Sequence, residues 1–224
     1  MSGSDADLLR KGLEKLEIPF GEEQIIKVQI FLEELERWNR KHGLVGRGRG
    51  KDRRLDGGQL IARHVLDSLA GWGTIGALDR RRRVADVGSG AGFPGIPLAV
   101  FLPDSLFTLL EPSATKAAFL RNAVILANLE NVEVEEQRLQ EVGRRFDLVV
   151  FRAFSPLPRA LADLKRILEP HGLVIAYKGK RSRIAEELEA AGLDPQTLEI
   201  KAVRVPFLDE ERHLVIVRKA SSAT

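Results

Sequence analysis

VADVGSGAGFPGIPLA, residues 84–99, is the stretch on which the reading of this chain turns. It opens as a short apolar strand over 84–87 that carries one acid, Asp86. Glycines follow at 88, 90, 92 and 95, and Pro97 stands where a proline can open the first turn of a helix. Glycine lets the backbone turn sharply and lets a ligand reach main-chain amides without interference from side chains. Four glycines can also make a plain tight turn. Their place between a strand and a helix is nevertheless that of a ligand loop, at the carboxyl end of the first strand of an open parallel sheet.

The flanking sequence fits such a sheet. Further strands are expected at 106–110, 132–134, 146–151 and 173–177, with helices between them at 113–129 and 158–168. Strands alternating with helices imply right-handed crossovers and a mainly parallel sheet covered on both faces. The last two strands, 197–205 and 213–218, are joined too briefly for a helix and should pair antiparallel at one end. The expectation is an α/β fold around a mainly parallel seven-stranded sheet with an antiparallel last strand.

Ahead of the sheet the period changes. Over 22–40 the residues Ile25, Ile26, Val28, Phe31, Leu32, Leu35 and Trp38 recur at three- and four-residue steps, with Glu33, Glu34, Glu36 and Arg37 on the other face. That is an amphipathic helix, ending near His42 and Gly43. GRGRGKDRRLDGG at 46–58 has almost nothing to bury and is expected to be a mobile surface loop. A further helix is expected at 59–72. The chain therefore divides into a helical N-terminal extension, 1–78, with the basic loop 46–58, and a core, 79–220.

Bulk properties narrow the classes. Of 224 residues 44% are hydrophobic and 30% charged, which suits a soluble globular chain. No apolar run approaches the ~20 residues that span a bilayer, so no membrane association is expected. The first residues, MSGSDADLLRKGLEKLEI, carry acids where a signal peptide needs an apolar stretch, and a cytoplasmic location is expected. There is no cysteine, and four scattered histidines make a metal centre unexpected. Between Lys41 and Arg83 stand eleven Lys/Arg against four Asp/Glu, although the whole chain is only +3. Such a stretch is either a footprint for phosphate backbones or a solvated face.

The ligand of the loop has two candidate classes. Gly90-x-Gly92-x-x-Gly95 matches the dinucleotide fingerprint, and Glu111 closes the second strand at a distance suited to gripping a ribose. A nicotinamide-dependent oxidoreductase is one reading. Against it, Asp86 places a carboxylate where a pyrophosphate would be repelled, and Pro94 removes an amide donor from the turn. A ribose-bearing ligand with cationic groups and no phosphate, such as S-adenosylmethionine, suits both features, with Glu111 accepting from the ribose hydroxyls.

VADVGSGAGFPGIPLA followed by LFTLLEPSATKAAFLRN resembles the RsmG (GidB) family of small-subunit ribosomal RNA methyltransferases. Five more stretches fall in the family's order: RWNRKHGLVG at 37–46, RHVLDSLA at 63–70, FDLVVFRAF at 146–154, YKGK at 177–180 and ERHLVIVRK at 211–219. The resemblance implies a Rossmann-like class I methyltransferase core. It also implies methylation of ring nitrogen 7 of a guanine in 16S ribosomal RNA, with S-adenosyl-L-methionine as donor. The partner would be that RNA or a small-subunit assembly intermediate, and the chain is expected to act as a monomer.

Carried over by motif, Asp86, Gly88, Gly90 and Phe93 belong to the cofactor loop, Glu111 takes the ribose, and Leu139 and Gln140 flank the adenine. Arg152 sits near the reactive end as the candidate catalytic residue, either positioning the reactants or forming a salt bridge at a strand end. The family usually has Glu where Gln140 stands, and often NLT after the WN pair, where this chain has Gly43-Leu44-Val45. Candidate RNA-binding residues are Arg53 and Arg54 in the basic loop and Lys178 and Arg181 after the fifth strand. His64 is either an RNA or cofactor contact or a structural histidine. Phe93, Phe154 and Tyr177 are possible stacking partners for a base, or plain core. A non-catalytic RNA-binding or ribosome-assembly protein remains a further alternative.

Overall fold

Runs such as Leu148-Val149-Val150, with no exposed surface, build a sheet covered on both faces. A computed structural model of the chain describes residues 3–46, 56–76, 82–192 and 198–219. Its strands are β1 (Arg83–Val87), β2 (Leu106–Leu110), β3 (Val132–Glu135), β4 (Phe146–Arg152), β5 (Leu168–Lys178), β6 (Glu199–Val203) and β7 (Arg212–Arg218). They form one sheet in the order β3-β2-β1-β4-β5-β7-β6. β1 to β5 run parallel, and β7 is antiparallel to both β5 and β6. The expected sheet is therefore present, antiparallel end included.

Alternation along the strands sends side chains to two layers. Val84, Leu109, Leu148, Ile175 and Leu214 face a hydrophobic cluster shared with the N-terminal helices. Ala85, Val149, Val174 and Val215 face a second cluster with Leu157 and Leu164. α1 (Gly3–Lys15) and α2 (Glu22–His42) join the first layer, together with α6 (Gly95–Phe101) and α7 (Ala114–Leu126). α2 buries Ile25, Val28, Phe31, Leu32 and Leu35, carries Glu22 and Glu23 in its first turn and Arg40, Lys41 and His42 in its last, and Gly43 ends it in the left-handed conformation at φ 63. Buried Glu34 ties α2 to α7 by accepting from Asn122 Nδ2 at 2.9 Å. On the other layer lie α8 (Leu157–Arg166) and α9 (Arg181–Glu189).

Three expectations are corrected. The helix expected at 59–72 is broken into α3 (Gly57–Leu60), a π-helical turn Ile61–Leu66, α4 (Asp67–Leu69) and α5 (Trp72–Gly76). Its carbonyls find partners outside a regular ladder: Ser68 Oγ donates to His64 O at 2.6 Å and Arg152 Nη1 to Arg63 O at 3.2 Å. The helix expected to run to 168 ends at Arg166, and Leu168 already pairs with Phe146. β5 then bulges through His171, at φ 64, before Leu173 pairs with Leu148. α9 was not anticipated. The greater part of the basic loop, including Arg53 and Arg54, lies outside the described residues, as does Thr197.

Candidate functional site

The strand order reverses between β1 and β4, and in an open parallel sheet the ligand crevice opens at the carboxyl ends of such neighbours. The loop leaving β1 is shaped by Gly88, Gly90 and Gly92, at φ 69, 58 and 87. Gly88 N and Ser89 N donate to Leu110 O at 2.8 and 3.2 Å. Gly90 N donates to Glu111 Oε2 at 2.9 Å, while Glu111 Oε1 accepts from Ser113 N at 2.9 Å. Each carboxylate oxygen thus keeps a lone pair for another donor. A Cβ on Gly90 would meet nothing nearer than Gly88 O at 3.7 Å, so the backbone is open there.

Asp86 lies beneath this loop and has no exposed surface. Its carboxylate therefore acts on the loop and not on a ligand directly, which corrects the expectation for this residue. Oδ2 accepts from Gly95 N at 3.0 Å, and Oδ1 has no partner among the described residues. Burial pushes its carboxyl up to about 7, against the opposing pull of the Gly95 amide, Ser89 and Arg152. The Gly95 amide at the head of α6, which a pyrophosphate would need, is already taken.

Leu139 and Gln140 occupy a short 3₁₀ turn, Leu139–Glu141, that follows β3. Leu139 is buried, while exposed Gln140 donates from Nε2 to Asp163 Oδ2 at 2.8 Å. Arg166 pins the turn by donating to Leu139 O at 2.7 Å and Val142 O at 2.6 Å.

Arg152, at the end of β4, is where the N-terminal extension meets the loop. Its Nη1 donates to Asp67 Oδ2 at 3.0 Å, its Nη2 lies 3.0 Å from His64 Nδ1, and its guanidinium sits 5.2 Å from the Phe93 ring centre. The salt bridge considered for this residue is real, and it stands inside the crevice. Asp67 also accepts from Arg212 Nε at 3.0 Å, so one buried carboxylate is shared by two arginines. The next residue, Ala153, is held at φ 52, a strained conformation for a side chain-bearing residue. His64 faces the Phe93 ring at 5.0 Å, and burial, reinforced by Arg152 and Arg63, lowers its pKa to about 4.

Beyond Arg152 a cavity of about 810 Å³ opens over the ends of β4 and β5 and the start of β7, lined by His64, Asp67, Arg152, Lys178 and Arg212 among others. Lys178 Nζ is paired with both oxygens of Glu187 at 2.8 and 2.9 Å, and Arg181 is exposed at the start of α9. For two of the three aromatic residues the core alternative holds. Phe93 is buried edge-on against Phe31 at 5.2 Å. Tyr177 is buried and donates its hydroxyl to Ser68 O at 2.8 Å. Half-buried Phe154 lies against Gly88, where a Cβ would come within 2.4 Å of its ring.

The structure thus gathers Gly88, Gly90, Phe93 and Glu111 on the β1–β2 side and joins them through Arg152 to the cavity. Asp67 and Arg212 were not singled out from the sequence. Asp67 is a charge set in an apolar segment, which is its available signal, whereas Arg212 follows three acids and carries no such mark. Among the described residues no group of three His, Asp or Glu could hold a metal ion, and no helix is long and apolar enough to cross a membrane.

Comparison with known proteins bears on this geometry. A family model described as GidB, rRNA small subunit methyltransferase G, matches residues 24–215. A protein of Nitrosococcus oceani named ribosomal RNA small subunit methyltransferase G is 33% identical over 220 residues, 97% of this chain and 97% of the relative. One of the same name from Laribacter hongkongensis is 35% identical, covering 92% of this chain and 95% of the relative. Among solved structures, a SAM-dependent methyltransferase from Aquifex aeolicus shares the fold with a TM-score of 0.52 at 17% identity, over 68% of this chain and 91% of that one.

Proposed function

The chain belongs to the rRNA small subunit methyltransferase G family, and from that premise we propose that it methylates ring nitrogen 7 of one guanine in 16S ribosomal RNA. S-adenosylmethionine supplies the electrophilic methyl group, carried on a sulfonium. The observation that carries the reading is the Gly90–Glu111 pair. An open, left-handed glycine is held by a carboxylate that retains acceptor capacity, above a helix amide already taken by Asp86. That arrangement suits a ribose without a pyrophosphate and leaves the oxidoreductase reading without support.

Guanine N7 has an in-plane lone pair and no proton to remove, so the chain needs no general base. Its task is to hold acceptor and donor in line, a contribution worth about 7–11 kcal/mol in favourable cases. Glu111 and the glycine loop fix the donor's ribose. Leu139 and Gln140 bound the space for the adenine. Arg152 is a positioning group, since arginine keeps its protons and its guanidinium is braced by Asp67, Arg63 and His64. Phosphates of the RNA are met by Arg181 and by the basic segment containing Arg53 and Arg54.

Mass spectrometry of 16S RNA from cells with and without the gene tests this. One 7-methylguanosine is expected to vanish with the gene and to return on incubation with the purified chain and tritiated S-adenosylmethionine. RNA binding without label transfer would favour a non-catalytic assembly role. Tight NADH binding without adenosylhomocysteine binding would favour the oxidoreductase.

A further inference from the structure

His64 carries a hydrogen-bond donor that the cofactor site does not use. Its Nδ1 lies 3.0 Å from Arg152 Nη2. A guanidinium can only donate, so Nδ1 is the lone-pair nitrogen and the ring proton sits on Nε2. Nε2 makes no hydrogen bond among the described residues, and the residue lines the large cavity beside the loop. The ring is held in place by Phe93, 5.0 Å away at 31°, and by the π-helical turn that carries it. Arg63 and Arg152 flank it, while the nearby Asp67 carboxylate is neutralised between Arg152 and Arg212. This setting keeps the ring uncharged.

We infer that His64 is a specificity-determining residue, whose Nε2–H donates to O6 of the guanine that is methylated. The inference rests on the proposed methylation of N7. On that edge guanine offers two acceptors, N7 and O6, whereas adenine offers N7 beside an amino donor. A fixed N–H donor therefore accepts guanine and meets adenine donor to donor. A neutral donor suits the reaction better than a cation. As the N7–methyl bond forms and the sulfur–methyl bond breaks, the electron pair returns to sulfur and positive charge moves onto the purine, which an imidazolium would oppose.

The test is a cycle over residue and base, in 16S RNA carrying either guanosine or 2-aminopurine riboside at the methylated position. The second base keeps N7 and lacks O6. Single-turnover transfer of tritiated methyl is measured with the wild-type chain, His64→Gln and His64→Ala. Wild type is expected to favour guanosine by roughly 10- to 100-fold, His64→Gln to keep most of that preference through its amide N–H, and His64→Ala to lose it to within about threefold. A preference in His64→Ala equal to that of wild type overturns the inference and leaves the methyltransferase reading standing. Failure of the wild-type chain to label guanosine RNA overturns both. Nitrogen-15 NMR of the folded wild-type chain gives a readout independent of variant folding. The Nε2–H tautomer is expected near pH 7, and an Nδ1–H ring or an imidazolium overturns the inference.

Discussion

Two carboxylates flank the glycine loop, and their environments give them different work. Asp86, sealed beneath it, has a folded pKa of about 7 against an ordinary value of 3.8. Between those values the folded chain binds more protons than the unfolded one, so this residue's contribution to stability falls as pH rises through that window. Asp86→Asn keeps an oxygen for the Gly95 amide and removes the charge. The variant's melting temperature relative to wild type is therefore expected to rise by several degrees between pH 5 and pH 8, read by calorimetry; a difference that stays constant would place the ionisation elsewhere. Glu111, buried just past the end of β2, already receives the amides of Gly90 and Ser113 and has lone pairs left for a ribose. Glu111→Ala should raise the Kd for adenosylhomocysteine by roughly 10- to 100-fold, the loss of about 1.5–3 kcal/mol from hydrogen bonds to a charged group. Because the same change frees the Gly90 amide, the 2′-deoxy analogue separates the two effects. It should bind wild type more weakly than the parent does, and bind Glu111→Ala no more weakly. Glu111 was legible in the sequence because a strand-end acid at that spacing has few other uses. The burial of Asp86 was not, since the same letter could face either side of the turn.

Elements show the same division between what local pattern carries and what it does not. The central strands were readable because buried apolar runs such as Leu148–Phe151 and Leu173–Tyr177 have few other fates, and the edge strands β3 and β6 by their place in the alternation and by partly alternating apolar residues. α9 carries a short helical signal in Ile184 and Leu188, four residues apart and both buried, which a mostly charged segment obscures. The broken helix after Gly57 was not readable, because its irregularity is set from outside. Arg152, 85 residues from Asp67 in the chain, takes a carbonyl from the π-helical turn, and Arg212 reaches Asp67 across 145 residues. The turn between α4 and α5 is packed closely against β5. A Cβ on Gly71 would lie 2.3 Å from the Tyr177 hydroxyl oxygen, which donates to Ser68 O. Gly71→Ala is expected to cost about 1–3 kcal/mol in urea unfolding by displacing that buried hydroxyl. Tyr177→Phe in the same chain should recover part of the loss by making room, giving a favourable coupling in the cycle. Strictly additive costs would mean that the methyl at 71 and the hydroxyl of Tyr177 do not meet.

At the scale of the whole molecule, the extension and the sheet share one hydrophobic layer and one charged chain of contacts. That chain runs from Arg63 through Glu210, Arg212 and Asp67 to Arg152. The basic charge most useful for RNA is the charge left outside such pairs. Lys178 is spent on Glu187, whereas Arg181 is exposed at the head of α9. Phosphate contacts release counterions, so each one lost flattens the dependence of binding on salt by about one unit of log–log slope. Arg181→Ala is therefore expected to reduce the slope for 16S RNA binding by about one, and Lys178→Ala by distinctly less, because its ammonium contributes little net charge beside Glu187. Charge reversal of Arg53 and Arg54 together should weaken binding across RNA sequences alike and lower the slope further, with cofactor affinity unchanged because neither residue belongs to the glycine loop. Filter binding from about 50 to 200 mM salt reads all three. A slope untouched by Arg181→Ala would take the head of α9 out of the RNA path, and a larger effect from Lys178 than from Arg181 would mean that RNA breaks the Glu187 pair on docking.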